Sequence, residues 1–163
     1  MRFVLVLHGE ADHTALSETG RLQARAVGAE LARHSATVVS SPAPHAREAA
    51  TIIAETSGSD SPAERPGLGQ PEHEGFHEST QESGWAIIEA AKIELDPEAT
   101  LVMVTHEVNI RLLVCRALAM PLSELDRFAL EPGSMTTIEW RTQPRDRLLL
   151  GSLNEVCHLD SPA

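Results

Sequence analysis

Positive charge is scarce in this chain of 163 residues: 13 Lys and Arg stand against 24 Asp and Glu, a formal net charge of −11. Nucleic acid is therefore a poor candidate partner, because binding it depends on neutralising phosphates with basic side chains. An anionic membrane surface is disfavoured for the same reason. Cysteine is nearly absent. Cys115 and Cys157 are too few for a disulfide framework, and free thiols in a reducing cytoplasm are the simpler expectation. No apolar run approaches the roughly 18 residues of a spanning helix. The opening Met1–Leu7 stretch is too short for a signal peptide and lacks a small-residue cleavage site, so a cytoplasmic location is expected. What remains is an ordinary globular composition, 42% hydrophobic and 23% charged. A single domain over 1–163 is expected, large enough to bury roughly 70% of its unfolded surface without a metal or disulfide.

Strand and helix signals alternate along the chain. Residues 2–7 are Val- and Leu-rich, which suits a strand buried on both faces. Ser17 is placed to cap a helix in which Leu22, Ala26, Val27, Ala29 and Leu31 recur at helical spacing. Ala36–Ser40 reads as a second buried strand. Pro44 suits the first turn of a helix running to about Thr56. Residues 57–84 hold Gly, Pro, Ser and Glu with almost no large apolar residue, and are expected to form a loop or lid. Trp85–Leu95 is helical by period, Leu101–Thr105 is the strongest strand, and Val108–Ala119 is a helix ended by Pro121. Ser134–Trp140 and Leu148–Leu153 read as antiparallel strands joined around Pro144. The expected fold is therefore α/β, with a mainly parallel mixed sheet covered by helices on both faces.

Sites in such sheets form beyond the carboxyl ends of the strands. His8 follows the first strand and His106 the strongest one. Ser40, Ser41 and the helix start carrying His45 follow the second. These residues can meet in one crevice although the sequence separates them widely. Glu10 is a candidate to orient His8 or to act as a base. His73 and His77, with Glu72, Glu74 and Glu78, make a polar run that a closing lid could carry to the crevice. His13 and His34 read as surface residues, and Trp85 and Trp140 as core or interface anchors.

The order of segments carries a resemblance. Leu-His-Gly-Glu at 7–10, Leu-Ser-Glu-Thr-Gly-Arg-Leu-Gln-Ala at 16–24, Ser-Ser-Pro-Ala-Pro-His-Ala at 40–46 and Val-Thr-His at 104–106 together resemble the histidine phosphatase superfamily, also called phosphoglycerate-mutase-like. Glu-Pro-Gly-Ser-Met at 131–135 and Asn-Glu-Val-Cys-His-Leu at 154–159 are similar to the end of its bacterial phosphatase branch. The resemblance implies a three-layer α/β sandwich. It further implies that His8 corresponds to the phosphorylated nucleophile and His106 to the second pocket histidine. In that family a neutral imidazole attacks phosphorus, guanidinium groups grip the phosphoryl oxygens, and a carboxylic acid protonates the leaving oxygen.

The chain departs from the family pattern where phosphate would be held. The arginine of Arg-His-Gly is Leu7 here. The second phosphate arginine is His45. The residue after the second histidine, usually Gly, is Glu107. The nearest match to the family's acid is Gln70, which cannot donate a proton as an acid, leaving Glu72 or Glu74 as substitutes. Arg47 lies two residues further along its helix, on another face. Charge-assisted hydrogen bonds are worth roughly 1.5–3 kcal/mol each, so losing two arginines would cost at least about 4 kcal/mol, roughly a thousandfold in rate.

The reading ranked first is a repurposed enzyme. His8, His106, Glu10 and Glu74 would act as acids and bases on a neutral or cationic small molecule, in a pocket lined by Leu7, Gly9, Ser41, His45 and Glu107. Isomerisation, dehydration, cyclisation and hydrolysis all fit that chemistry. The alternatives are a phosphomonoesterase working through His8 and a non-catalytic binding protein. No cofactor is expected. Three His and a Glu could ligate zinc, but no closely spaced ligand pair supports a metal. The antiparallel edge of residues 134–153 could support a homodimer, although the sequence does not fix the oligomeric state, and Arg111 is expected in a structural ion pair.

Overall fold

The computed structural model describes residues 1–12, 14–70, 77–143 and 147–160. Strand β1 (Arg2–Leu7) is followed by α1 (Glu18–Leu31), β2 (Ala36–Ser40), α2 (Pro44–Ser57) and the short β3 (Ala63–Glu64). Then come α3 (His77–Glu94), β4 (Thr100–Thr105), α4 (Glu107–Ala117), β5 (Met135–Arg141) and β6 (Arg147–Glu155). The six strands form one sheet in the order β3-β2-β4-β1-β5-β6. The first four in that order are parallel, while β5 and β6 pair antiparallel at one side.

Side-chain alternation along the strands feeds two cores. Val4, Val6, Val38, Val102 and Val104 pack on one face with Ala24, Val27 and Leu31 of α1 and Ala46, Ala49, Ala50 and Ile53 of α2. Phe3, Leu5, Leu7, Val39, Leu101, Met103 and Ile138 pack on the other with Ile88 of α3 and Ile110, Leu113 and Val114 of α4. The result is the expected three-layer α/β sandwich. Ser17 caps α1, its side chain accepting from the Gly20 N–H at 3.0 Å.

Outside 71–76, which are not among the described residues, the segment 57–84 is less of a loop than expected. Its described residues contain β3, a 3₁₀ turn at Pro66–Leu68 and the first two turns of α3. Leu68 is fully buried in the second core. The start of α3 is polar in sequence because it docks through small and polar groups. Gln81 Nε2 donates to the Leu112 carbonyl at 2.8 Å, and a Cβ on Gly84 would sit 3.3 Å from Leu113. Hydrophobic periodicity is blind to such contacts. The helix after β4 ends at Ala117, short of the Ala119 expected. Its last turn closes through Met120 N–H to the Cys115 carbonyl and Ala119 N–H to the Arg116 carbonyl, with Ala119 left-handed at φ 53°. Cys115 is buried and Cys157 exposed, and both are free thiols. The turn around Pro144 lies outside the described residues.

Candidate active site

Strand register builds the site. Leu7 of β1 pairs with Thr105 of β4, so the next residues, His8 and His106, leave adjacent parallel strands side by side. The His8 N–H extends the ladder by donating to the Thr105 carbonyl at 3.2 Å. On the other flank of β4, Ser40 pairs with Val104, and Ser41 N–H donates to the Val104 carbonyl at 2.9 Å. The chain then turns at Pro42 and Ala43 into α2, whose first turn carries His45. Three loops leaving three neighbouring strands therefore deliver three imidazoles to one point. Ring centroids lie 4.3 Å apart for His8–His45, 5.2 Å for His8–His106 and 5.4 Å for His45–His106.

A tight backbone contact holds the His8 loop. A Cβ on Gly9 would lie 2.5 Å from the Gly20 carbonyl oxygen, and one on Gly20 would lie 2.0 Å from that of Glu10. Only paired glycines allow the loop to rest directly on the start of α1. His8 Nδ1–H donates to the Gly9 carbonyl at 2.9 Å, which leaves Nε2 with its lone pair. The Ser41 hydroxyl accepts the Ala43 N–H at 3.2 Å and lies 2.9 Å from His106 Nε2, so its own proton is free to point at that nitrogen. His45 Nδ1 is buried without a hydrogen-bond partner. Thr105 Oγ1 and Asn109 Nδ2 both donate to the Leu68 carbonyl, which fixes the approach of residues 68–70 to the cleft.

Burial depresses the basicity of all three rings. Desolvation pushes His106 down to about 4, with the neighbouring His8 and His45 adding to the effect. It lowers His8 as well, against the opposing pull of the Gly9 carbonyl. His45 is also lowered by burial, partly offset by the Asp12 carboxylate. The three rings are therefore neutral near pH 7.

They open into a cleft of 510 Å³ lined also by Leu7, Gly9, Glu10, Ala11, Asp12, Gln70, Glu107, Leu130 and Pro132. Among the described residues, no Arg or Lys lines it. Arg47 turns away to Glu64, 3.3 Å distant, as its place on the helix implies. Arg111 is committed to Glu107 at 2.5 Å and Asp126 at 3.4 Å, the structural ion pairs expected of it. Glu10 lines the cleft, but its Oε1 accepts from the Ser17 hydroxyl at 2.8 Å. Ser41 sits behind His106. Glu72, Glu74, His73 and His13 lie outside the described residues. His77 opens α3, and His34 is at the surface beside Arg2. His158 is buried, its Nε2 donating to the Gly133 carbonyl at 2.9 Å, which ties down the tail. Two contributors were missed in the sequence. Asp12, a cleft residue facing His45, is signalled only by its turn-forming bonds to Thr14 and Ala15. Asn109 lies in the first turn of α4, its Nδ2 donating to Thr105 Oγ1 at the end of β4 at 2.9 Å, and periodicity gives no hint of its bond to residue 68.

Comparison with known proteins agrees with this fold. No curated protein matches the sequence. Among solved structures, a phosphoserine phosphatase mutant from Entamoeba histolytica in complex with phosphoserine superposes with a TM-score of 0.78 at 15% identity, covering 97% of this chain and 98% of that one. A mycobacterial glucosyl-3-phosphoglycerate phosphatase in complex with VO3 gives 0.79 at 19% identity, covering 94% and 98%. The Bacillus stearothermophilus protein YhfR gives 0.78 at 19%, covering 98% and 99%. The family profile for branch 1 of the histidine phosphatase superfamily matches residues 4–83 and 70–151. With that match over most of its length, the chain belongs to the histidine phosphatase superfamily, branch 1.

Proposed function

We propose that the three-histidine cleft performs general acid–base chemistry on a neutral or cationic small molecule, rather than phosphomonoester hydrolysis at ordinary rates. The observation that carries this reading is the charge around the rings. The described cleft residues include the carboxylates of Glu10, Asp12 and Glu107 and no guanidinium or ammonium group. A phosphoryl dianion would meet neutral imidazoles and negative charge, without the clamps that dominate phosphoryl transfer. A neutral or cationic substrate avoids that repulsion. His8 then serves as base through its free Nε2, and His106, with the Ser41 hydroxyl at its other side, as the partner acid or base. Glu74 remains the proposed lid carboxylate. Isomerisation, dehydration, cyclisation and hydrolysis are the reaction types such a pair supports.

A second reading is favoured by one observation. The His8 ring, held through Nδ1 with Nε2 bare, is also the arrangement a phosphorylated nucleophile needs, and the superposed relatives include phosphatases. One experiment separates the two. The protein and its His8→Ala variant are incubated with an aryl phosphate. The acid–base reading expects turnover about a thousandfold below an ordinary phosphatase. Turnover at ordinary phosphatase rates that disappears in the variant would establish the second reading instead. In parallel, a fragment screen by NMR should return neutral or cationic ligands whose binding is lost in both His8→Ala and His106→Ala.

A further inference from the structure

The same three rings have a geometry that proton transfer alone does not require. One ring nitrogen from each of His8, His45 and His106 lies within 4.8 Å of the other two. The rings are not stacked. Their planes cross at 55°, 72° and 85°, like blades set around a common axis. A tetrahedral ion about 2.0 Å from each imidazole nitrogen places those nitrogens about 3.4 Å apart and the ring centroids about 5 Å apart. The observed centroid separations of 4.3, 5.2 and 5.4 Å straddle that value. The nitrogens need to close by at most about 1.4 Å, within reach of side-chain rotation.

We infer that His8, His45 and His106 form a binding site for one divalent transition-metal ion of the zinc class, with a fourth coordination position open to the cleft. Three imidazoles plus a water is a ligand set that such ions accept, and purely oxygen-seeking ions such as Mg2+ do not favour it. The surroundings supply what metal-bound histidines ordinarily have. His8 donates its Nδ1–H to the Gly9 carbonyl, which fixes the tautomer and orients the ring with Nε2 free. As a ligand through Nδ1, His106 donates its Nε2–H to the Ser41 hydroxyl oxygen 2.9 Å away, the tautomer opposite to the one in which Ser41 donates. His45 Nδ1 is buried and has no partner, a cost the fold otherwise leaves uncompensated. Glu10 and Asp12 line the same cleft and bring negative charge close to the ion. Glu107, in the first turn of α4, is already paired with Arg111.

The spacing of 8, 45 and 106 along the chain contains no recognisable metal motif, which is why no ion was expected from the sequence. The site comes from strand order and register. The acid–base roles proposed for His8 and His106 belong to the ion-free cleft; a bound ion would take up one nitrogen of each ring and would supply Lewis acidity in their place. Metal binding does not depend on the acid–base reading, since it is measured without turnover.

The test uses Co2+ as the probe, added to the chelator-treated full chain. The expected result is one equivalent bound with micromolar or tighter affinity and an intense visible spectrum of four-coordinate Co2+, displaced by Zn2+. His45→Ala, at a half-buried position that tolerates change, should weaken binding by about a hundredfold or more, since even the partners of metal ligands cost up to that much. His45→Asn serves as a second variant should the first misfold, with circular dichroism checking both. His34→Ala and Cys157→Ser, away from the cleft, should leave the affinity unchanged. A weak six-coordinate spectrum, undiminished binding in folded His45 variants, or binding lost equally in His34→Ala would overturn the inference.

Discussion

Acidification should destabilise this protein well before its carboxylates titrate, and His106 sets the scale. In the folded chain burial holds its ring down to about 4, against an ordinary value of 6.5. Between those values the unfolded chain binds a proton at this position and the folded chain does not. Stability is therefore fully present above about pH 6.5, falls as the pH drops towards 4, and loses nothing more from this ring below that. Integrated over the window, one proton amounts to about 3 kcal/mol, a large share of the 5–15 kcal/mol typical of a domain. His8 and His45 are lowered too, so they steepen the loss. Glu48 is also lowered, chiefly by the Leu16 N–H it accepts, but its contribution disappears only as the pH falls through the carboxylate range. Urea unfolding of the chelator-treated protein, followed by the fluorescence of Trp85 and Trp140 from about pH 7.5 down to about 5.5, isolates the histidines from the carboxylates. His106→Gln keeps a polar side chain beside Ser41 and removes the titration, so its pH dependence should be visibly shallower. Equal stability at both ends of that range would refute the reasoning, as would an unchanged slope in the variant.

Three further outcomes are expected. Ala119→Gly should stabilise the fold by about 1 kcal/mol, because the left-handed conformation at φ 53° penalises a Cβ; the urea midpoint reads it. Gly20→Ala should destabilise by about 2–3 kcal/mol or displace the His8 loop, since its Cβ would fall 2.0 Å from the Glu10 carbonyl oxygen; thermal unfolding and loss of ligand binding at the cleft would show it. His45→Arg should raise orthovanadate affinity about tenfold or more by returning one charge-assisted clamp, as measured by titration calorimetry. No gain there would mean that something other than missing guanidinium groups keeps anions out.

Much of this molecule is determined locally. The Val- and Leu-rich runs 2–7 and 101–105 specify strands buried on both faces, because each successive side chain needs an apolar neighbour above or below the sheet. Ser17 and Pro44 mark helix starts through backbone chemistry that operates within a few residues. The alternation of these elements restricts the fold to helices on both sides of a largely parallel sheet, and the loops after β1, β2 and β4 are then the place to look for chemistry. The segment before Trp85 shows where local pattern stops being informative. The first turns of α3 are held by Gln81 on the Leu112 carbonyl and by Gly84 against Leu113, contacts with no hydrophobic period.

What the chain could not encode locally is the meeting of His8, His45 and His106. Their separation in sequence says nothing about distance; it is the order β2-β4-β1 and the pairing of Leu7 with Thr105 that set the rings side by side. Their neutrality is likewise a tertiary property, since desolvation depends on what surrounds a ring and not on what precedes it. So is the fate of the arginines. Composition shows that basic residues are few, but only the packed structure shows Arg47 turned to Glu64 and Arg111 held by Glu107 and Asp126. Residue identity specifies which groups are present, and long-range packing decides which of them share a site and in what charge state.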